Sequence, residues 1–309
     1  MTLIEMPQID FQHLFLLFLI YSFIGWFCEE IWVGVRTKKF EYRGMLYGPI
    51  CPIYGFGAIL IIYGVYPWRE TWVRLFLASM ILTSILEYFT HWALEKIFHA
   101  KWWDYSKSFM NLNGRICLVN SCAFGIGGVA LEHFLHPLMM KIVYWDKVQP
   151  YIQYIFGGLL FVLAVDCIFT FHKLINFATA MEKLKNFEEH LKERFEGESW
   201  FKNKSLTEMI ESIKEQSKIN KQKFSKTMLD NVNKISGRQK NIEPWFKKFP
   251  GISSKEYAGA LEYAKIMFQK NINAKKQQLK AAKEESKAKK AQKKEQKASV
   301  ASENSKTSE

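Results

Sequence analysis

One residue pattern constrains the fold of this chain most: it occurs twice, 66 positions apart, within segments apolar enough to cross a lipid bilayer. Such an internal repeat in a membrane protein is typical of duplicated helical hairpins. We therefore predict two hairpins, at about residues 11–66 and 72–137. The matching positions are Leu16, Phe23, Trp26, Glu29, Ile31, Leu46, Gly48, Ile50 and Cys51 in the first copy, and Leu82, Phe89, Trp92, Glu95, Ile97, Leu112, Gly114, Ile116 and Cys117 in the second.

Five segments are long and apolar enough to be transmembrane helices. The one from Gly44 to Trp68 contains no charged residue, and at about 1.5 Å per residue it exceeds the roughly 30 Å hydrocarbon core of a bilayer. Tryptophan and tyrosine cluster near the segment ends, as is typical of residues at the membrane surface. We expect an all-α, polytopic membrane domain over residues 1–172 with about five spans. The other four segments, each with a carboxylate, are residues 11–31, 72–95, 116–135 and 151–171.

The basic residues predict how this domain is oriented. Positively charged loops are favoured on the cytoplasmic side, and the loops after the first and third spans are the more basic ones. The pattern therefore predicts an external amino terminus, a cytoplasmic carboxyl terminus and both hairpin loops in the cytoplasm. The basic residues of these two loops are Arg36, Lys38, Lys39 and Arg43, and Lys101, Lys107 and Arg115.

Charge separates the rest of the chain from this domain. Residues 1–172 contain 12 Lys and Arg against 12 Asp and Glu, whereas residues 173–309 contain 31 against 18, which accounts for the whole net charge of +13. We expect a basic, helical cytoplasmic region over 173–297 and a disordered tail over 298–309, where serine, threonine and glutamate dominate. Anionic membrane lipid is the favoured partner of so basic a tail, since each base near an anionic leaflet gains about 1 kcal/mol. Nucleic acid is the less favoured alternative.

Two capping boxes predict helix starts in this tail. Ser205 with Glu208 opens a helix that runs to about Ser236, and Ser253 with Glu256 opens the last one. Between them, the aromatic patch Trp245–Phe249 either packs against the preceding helix or enters the membrane surface.

Carboxylates inside the spans are the main candidate site, because a charge in the bilayer is costly without a role. Glu29, Glu87 and Asp166 each lie about 15 to 18 residues into a span that runs inward, which is roughly 22–27 Å at the rise of an α-helix. The spacing of Glu87, His91 and Glu95 places them in one stripe on the third span. These acids either line a path for a solute or ion, or form ion pairs that hold helices together. The candidate polar cavity comprises Glu29, Glu87, Glu95, Asp166, Arg43 and Arg115.

Two further features are candidates for local roles. The short loop after the third span is dense in polar and aromatic groups, so it either contacts a headgroup, a substrate or a partner, or is an interfacial belt with an Asn-Gly turn. Pro49 and Pro52 make the start of the second span a candidate for a broken or re-entrant segment. The candidate contact residues of the loop are Trp103, Asp104, Asn111 and Asn113.

Several of these motifs resemble those of the family described as Putative ABC-transporter type IV, also called CmpB-like. They are Ile24-Gly25-Trp26 with Glu29, Tyr42-Arg43-Gly44-Met45-Leu46-Tyr47-Gly48-Pro49, Trp103-Asp104-Tyr105-Ser106 and Asn111-Leu112-Asn113-Gly114-Arg115. The resemblance covers most of residues 11–172. It implies a permease-like subunit in a bacterial cell membrane, with transport rather than catalysis as its activity.

The sequence also leads to expectations about the energy source, the cofactors, the assembly and the alternative functions. The sequence has no Gly-x-x-x-x-Gly-Lys-Ser/Thr loop, so any use of ATP requires a separate ATPase subunit. We expect no cofactor and no metal. Self-association into a homo-oligomer would complete a pore in so small a bundle. The alternatives are a membrane-embedded lipid or cell-envelope enzyme and a non-catalytic membrane scaffold. An intramembrane protease is disfavoured, because Arg36 does not stand at the Glu-Glu-x-x-x-Arg spacing after Glu29.

Overall fold

The computed structural model describes residues 8–38, 42–199, 201, 204–219 and 243–306. Helices dominate it, with one two-stranded antiparallel hairpin between the third and fourth helices. In chain order the elements are α1 Phe11–Thr37, α2 Pro52–Gly64, α3 Trp72–Phe98, β1 Asn111–Leu112, β2 Ile116–Cys117, α4 Leu118–Ala130, α5 His136–Val143, α6 Ile152–Phe195, α7 Leu206–Ile219, α8 Glu243–Lys248 and α9 Ala258–Lys306.

Four helical segments are long and apolar enough to cross a membrane. They are Phe11–Val35, Trp72–Phe98, Leu118–Val143 and Gln149–Phe195. The chain is therefore an all-α, polytopic membrane protein, as its sequence predicts.

The segment expected to be the second span has a different form. The α-helix there is α2, and a single 3-10 turn, Tyr66–Trp68, follows it. The 13 residues of α2 extend about 20 Å, less than the thickness of the hydrocarbon core. Residues 42–51 before it are irregular. Proline explains the boundary: Pro52 is the first residue of α2, where its missing N–H group costs no hydrogen bond. The expected broken segment is thus an irregular stretch followed by a short apolar helix.

The two helix pairs α1–α2 and α3–α4 make close contacts through small residues. A Cβ atom added at Gly55 would lie 2.6 Å from the Phe18 carbonyl oxygen, so only glycine permits this approach. In the second pair, the hydroxyl groups of Ser84 and Ser121 are 2.7 Å apart. These serines stand 66 positions after Phe18 and Gly55, and α4 likewise begins 66 positions after α2.

Helices α4 and α5 are joined by a π-helical turn, Leu131–Leu135. Pro137 accounts for it, because a proline has no N–H group to donate to the carbonyl of His133 and its ring crowds that carbonyl. Beside this turn, the Tyr21 hydroxyl and His136 Nδ1 are 2.8 Å apart.

A buried apolar cluster joins α1, α2, α3 and the α4–α5 segment. It includes Leu17, Ile62 and Leu75, each at most 1% exposed. Dispersion forces and close packing hold such a cluster together in lipid, where apolar burial itself supplies little.

The basic region after residue 172 contacts the membrane domain through aromatic rings. Trp102, which follows α3, is 2% exposed, and its ring centroid lies 5.8 Å from Phe177 of α6, 5.3 Å from Trp245 and 5.0 Å from Phe249. Backbone bonds between Lys101 and Ser253, at 2.7 and 3.0 Å, add to this contact. The aromatic patch therefore packs against α6 and the loop after α3. We name this contact the tail clasp.

One of the two capping boxes is formed. The Ser205 N–H group donates to Glu208 Oε2 at 2.8 Å, and the Glu208 N–H group contacts the Ser205 hydroxyl at 3.4 Å. The other is replaced: Ser254 accepts from the Tyr257 N–H group at 3.0 Å, while Glu256 pairs with His99 of the membrane domain at 2.8 Å. The expected end of the first tail helix near Ser236 lies outside the described residues.

The chain divides into two compact units, Met1–Leu261 and Glu262–Glu309. The second, described as far as Lys306, consists of the greater part of α9. This helix includes residues 298–306, which the composition assigns to a disordered tail.

Candidate functional site

Two carboxylates on different helices, Glu87 buried and Glu29 half-buried, share one group of hydroxyl partners. Glu29 of α1 accepts a hydrogen bond of 3.1 Å from the Tyr54 hydroxyl of α2. Glu87 of α3 interacts with the Tyr105 hydroxyl, which also accepts a bond of 2.6 Å from the Asn120 amide of α4. Tyr105 interacts electrostatically with Glu29 as well. We call these five residues the carboxylate–tyrosine cluster.

The two acids of this cluster stand at similar depth. Glu29 is 18 residues after the start of α1 and Glu87 is 15 residues after the start of α3, or about 22–27 Å along each helix axis. Glu87 is only 5% exposed, and its Oε2 atom has no hydrogen-bond partner among the described residues. The cluster thus retains an acceptor for a cation or a proton.

The expected stripe on α3 divides between two environments. Glu87 and His91 are buried, and neither His91 nitrogen has a hydrogen-bond partner within the described part of the chain. The His91 ring packs edge-on against Trp103, with ring centroids 5.0 Å apart. Within the described ranges, no three His, Cys, Asp or Glu side chains lie together as metal ligands would.

Glu95 belongs to a second group, at the end of α3. The Arg115 guanidinium donates to Glu95 Oε2 at 2.9 and 3.3 Å and to the Tyr88 hydroxyl at 2.7 Å, and it lies 4.9 Å above the Tyr88 ring. The Asn113 amide also donates to Tyr88, at 3.0 Å. We call these four residues the Arg115 group.

Asp166 binds the irregular segment instead of joining the other acids. Its two carboxylate oxygens accept from the backbone N–H groups of Tyr47 at 2.8 Å and Gly48 at 2.6 Å. The Thr170 hydroxyl donates to the same carboxylate at 3.1 Å. Non-helical backbone within a bilayer requires protein partners for its polar groups, and Asp166 supplies them here.

Arg43 is likewise directed away from the acids of α3. Its guanidinium donates to the Lys248 carbonyl at 2.9 Å, and its backbone N–H group donates to Glu30. Lys248, from α8, in turn donates to the carbonyls of Met45 and Leu46, at 3.3 and 2.8 Å. Burial lowers the pKa of Lys248 to about 8, while nearby Asp166 opposes that change.

The loop residues have mostly structural contacts. Trp103 donates to the Arg115 carbonyl at 3.1 Å, and Asn111 bonds the carbonyl of Ser108 at 2.9 Å and accepts from the Gly114 N–H group at 3.0 Å. Asp104 accepts from the Ser106 N–H group at 2.9 Å, and its bonds from Ser106 lower the pKa of the Asp104 carboxyl.

The structure therefore distributes the predicted cavity over three places. Glu29 and Glu87 both interact with Tyr105, and Glu95 pairs with Arg115. Asp166 binds the irregular segment, and Arg43 binds α8 while also interacting electrostatically with Glu29. Sequence reasoning did not single out Tyr54, Tyr105, Asn120 or Lys248 as site residues. Tyr54 and Asn120 stand 66 positions apart, so a search for polar residues at matching positions of the repeat would have found both.

Comparison with known proteins identifies a family. The family model described as Putative ABC-transporter type IV matches residues 16–171, slightly more than half of the 309 residues. This range includes α2, α3, α4 and all but the first five residues of α1, together with Glu29, Glu87, Glu95 and Asp166. No curated protein and no solved structure matches the chain.

Proposed function

Because the chain belongs to the Putative ABC-transporter type IV family, we propose that it is a permease-like membrane subunit that moves a small cationic solute or ion. The observation that carries the proposal is the carboxylate–tyrosine cluster. Two acids from two helices stand at similar depth in the bundle, with hydroxyl partners and one oxygen that has no hydrogen-bond partner in the described part of the chain. Ionisable residues in a membrane domain mark pathways by default.

The chemistry of the cluster favours a cation. The hydrogen-bonding side-chain partners that the described residues give Glu29 and Glu87 are hydroxyl groups. Arg115 is paired with Glu95, and Arg43, which interacts electrostatically with Glu29, donates its guanidinium N–H group to a backbone carbonyl. Carboxylate and hydroxyl oxygens replace the water around a cation, as rings of acids do in cation channels. A neutral or anionic solute would gain little from this set of groups.

We also propose how the chain is oriented in the membrane and that its two hairpins are duplicates. We place the amino terminus outside a bacterial cell membrane and the basic tail in the cytoplasm, beside anionic lipid. Two duplicated hairpins in parallel orientation are supported by the matching starts of α2 and α4 and by the matching contacts Phe18–Gly55 and Ser84–Ser121.

The energy source would be a separate ATPase subunit. The family's description as an ABC transporter supports this, and the sequence lacks a phosphate-binding loop of its own. Purification under mild detergent conditions would recover this subunit if the two form a stable complex. Self-association of the chain is a second form of assembly that the same purification detects.

Cation binding provides the direct test. We expect one of Na⁺, K⁺, Mg²⁺ or Ca²⁺, at matched ionic strength, to raise the Tm of the purified protein by several degrees, because a ligand that binds only the native state stabilises it by RT ln(1 + [L]/Kd). Glu87→Gln, which keeps the size of the side chain and removes its charge, should abolish this rise.

Glu132→Gln is the matched control. Glu132 lies in the π-helical turn, and its Oε2 atom also lacks a hydrogen-bond partner within the described ranges, but it is outside the carboxylate–tyrosine cluster. This variant should respond to the cation as the wild type does. If no cation raises the Tm, or if Glu87→Gln responds fully, the proposed path is wrong.

A lipid-handling protein or membrane scaffold is the second candidate function. Two observations favour it: the tail clasp, which presents a folded cytoplasmic surface, and an apolar groove beside the Arg115 group. Absence of any cation effect together with retention of a specific lipid would favour this candidate over the permease.

A further inference from the structure

A wide apolar groove runs along the outer face of α3. Its volume is about 870 Å³, and it lies between α3 on one side and the β1–β2 loop with the start of α4 on the other. The α3 side chains in it are 40–61% exposed, and those of the loop are 55–66% exposed. These residues are Ile81, Ile85, Phe89 and Trp92 of α3, and Met110 and Leu112 of the loop.

One end of the groove is charged. Arg115 and Tyr88 line it, and Glu95 is bound to Arg115 at 2.9 Å. The side chains of Arg115 and Glu95 are 18% and 27% exposed, so both are accessible from outside. Both guanidinium bonds to Glu95 use the single oxygen Oε2.

The dimensions match one leaflet of a bilayer. From Met80 to Trp92 the groove follows twelve residues of α3, or about 18 Å, slightly more than half of the roughly 30 Å hydrocarbon core. Glu95, 23 residues after the start of α3, lies about 35 Å along the helix axis, at the level of the lipid headgroups. The apolar part therefore faces acyl chains and the charged end faces headgroups.

We propose that this groove is a binding site for a phospholipid with a zwitterionic, primary-amine headgroup, in the leaflet on the side of the β1–β2 loop. The lipid phosphate binds the Arg115 guanidinium and the Tyr88 hydroxyl, while its ammonium binds the Glu95 carboxylate. The acyl chains follow α3 between Ile85 and Leu112. This site is independent of the proposed cation path and goes beyond it.

Charge complementarity selects this headgroup. Arg115 and Glu95 form an adjacent plus–minus pair, and a phosphate with a nearby ammonium presents the opposite pair. Guanidinium groups bind phosphate through parallel N–H bonds. A purely anionic headgroup would meet repulsion from Glu95, and a choline headgroup has no N–H group to donate to it. A protein helix in the groove would need one acidic and one basic side chain at the level of Arg115 and Glu95, whereas the lipid headgroup already carries both charges.

Native mass spectrometry of the purified full chain tests the proposal. The probe is an equimolar mixture of phosphatidylethanolamine, phosphatidylcholine and phosphatidylglycerol in detergent. We expect the wild type to retain phosphatidylethanolamine about tenfold over phosphatidylcholine, a preference that three N–H donors to a carboxylate can supply. Arg115→Gln should lose retention of all three lipids, whereas Glu95→Gln should retain phosphatidylethanolamine and phosphatidylcholine equally.

Two further variants separate binding from folding. Ile85→Trp fills the apolar part of the groove at a position that is 61% exposed, so it should displace the lipid without altering the bundle. Arg69→Gln is the matched control, because Arg69 also lies over a tyrosine ring, at 4.2 Å from Tyr66, near the opposite end of α3. It should retain lipid as the wild type does.

Three results would overturn the proposal. The first is equal retention of all three lipids by the wild type, and the second is unchanged lipid selectivity in Arg115→Gln and Ile85→Trp. The third is a second copy of the chain, detected by mass, that Ile85→Trp releases in place of lipid. A correctly folded Ile85→Trp variant, checked by its circular dichroism, keeps the test valid even if Arg115→Gln is unstable.

Discussion

At the scale of single residues, the acids of this membrane domain differ in what they do. Asp166 completes the hydrogen bonding of irregular backbone, Glu95 neutralises an arginine, and Glu29 and Glu87 face hydroxyl groups. The cost of a carboxylate in lipid is therefore offset in three ways. Glu87 Oε2 has no hydrogen-bond partner among the described residues, and the same holds for Glu30 Oε2 and Glu132 Oε2. The proposed path rests on Glu29 and Glu87 because these two acids, from different helices, both interact with Tyr105.

Removal of the Asp166 carboxylate should destabilise the segment before α2. In Asp166→Ala the N–H groups of Tyr47 and Gly48 lose their acceptors, and each unpaired buried group costs about 1–3 kcal/mol. We expect a lower Tm and faster cysteine labelling at Cys51. Asp166→Asn, which keeps one acceptor oxygen, should be less affected. An unchanged Tm in Asp166→Ala would mean that the segment is held by other contacts.

Docking of Lys248 against the carbonyls of Met45 and Leu46 should depend on pH. Burial lowers its pKa from 10.5 to about 8, so between these values the docked lysine holds fewer protons than the undocked one. Docking should therefore become more favourable as the pH rises from about 8 to about 10, and should be weaker and constant below 8. Hydrogen-exchange protection of Ser253, corrected for the intrinsic rate, measures this.

Two variants check the assignment of this pH dependence. Lys248→Met removes the titrating group, so its protection should be independent of pH over the same range. Lys247→Met changes an exposed neighbour and should follow the wild type. A pH response that survives in Lys248→Met would have to come from another group.

At the scale of elements, small residues decide how closely the helices of each pair approach. Gly128 of α4 lies so close to Ser79 of α3 that a Cβ atom would overlap the serine side chain, whereas its neighbour Gly127 has no atom within 4 Å of the same position. Backbones that approach closely gain dispersion contacts, which are the main force between helices in lipid. The two adjacent glycines therefore differ in role.

Alanine at these two glycines should have opposite effects. Gly128→Ala should destabilise the protein by about 1–3 kcal/mol through overpacking against α3. Gly127→Ala should be neutral or slightly stabilising, because alanine favours a helix by about 1 kcal/mol over glycine. The Tm of each variant, measured by thermal unfolding in the same detergent, compares their stabilities. Equal losses of stability in both variants would show that the geometry of α4, rather than its contact with α3, determines the cost of an alanine.

At the scale of the whole molecule, the basic region is attached to the membrane domain at defined points. The tail clasp brings Trp245 and Phe249 against Trp102, and Glu256 bonds both His99 and Lys185. A ligand or partner that bound α8 would therefore act directly on the loops after α1 and α3. This gives the basic region a physical connection to the loop that carries Tyr105 of the carboxylate–tyrosine cluster.

Loss of the Trp245 ring should open the tail clasp. Truncation of a buried tryptophan to alanine costs about 3–5 kcal/mol, so in Trp245→Ala the amides of Lys101 and Ser253, which bond each other's carbonyls, should exchange much faster. Hydrogen-exchange mass spectrometry of the corresponding peptides measures this. Lys247→Ala, at an exposed position of the same helix, is the control, and equal protection in both variants would contradict the clasp.

The sequence by itself determined the membrane class, the all-α architecture, the family and the positions of the acids, because length, apolarity and charge act locally along the chain. It also indicated the break before α2, since a proline removes an N–H group wherever it stands. These inferences required no knowledge of which helices are neighbours.

Only the tertiary structure decided which partner each acid has. Glu29 and Glu95 occupy matching positions of the repeat, yet one faces Tyr54 and the other binds Arg115. Asp166 reaches Tyr47 across 119 positions of the chain, and Lys248 reaches Leu46 across 202. The position of an acid along its helix determines its depth in the membrane. The groups that contact it there depend on how the helices pack.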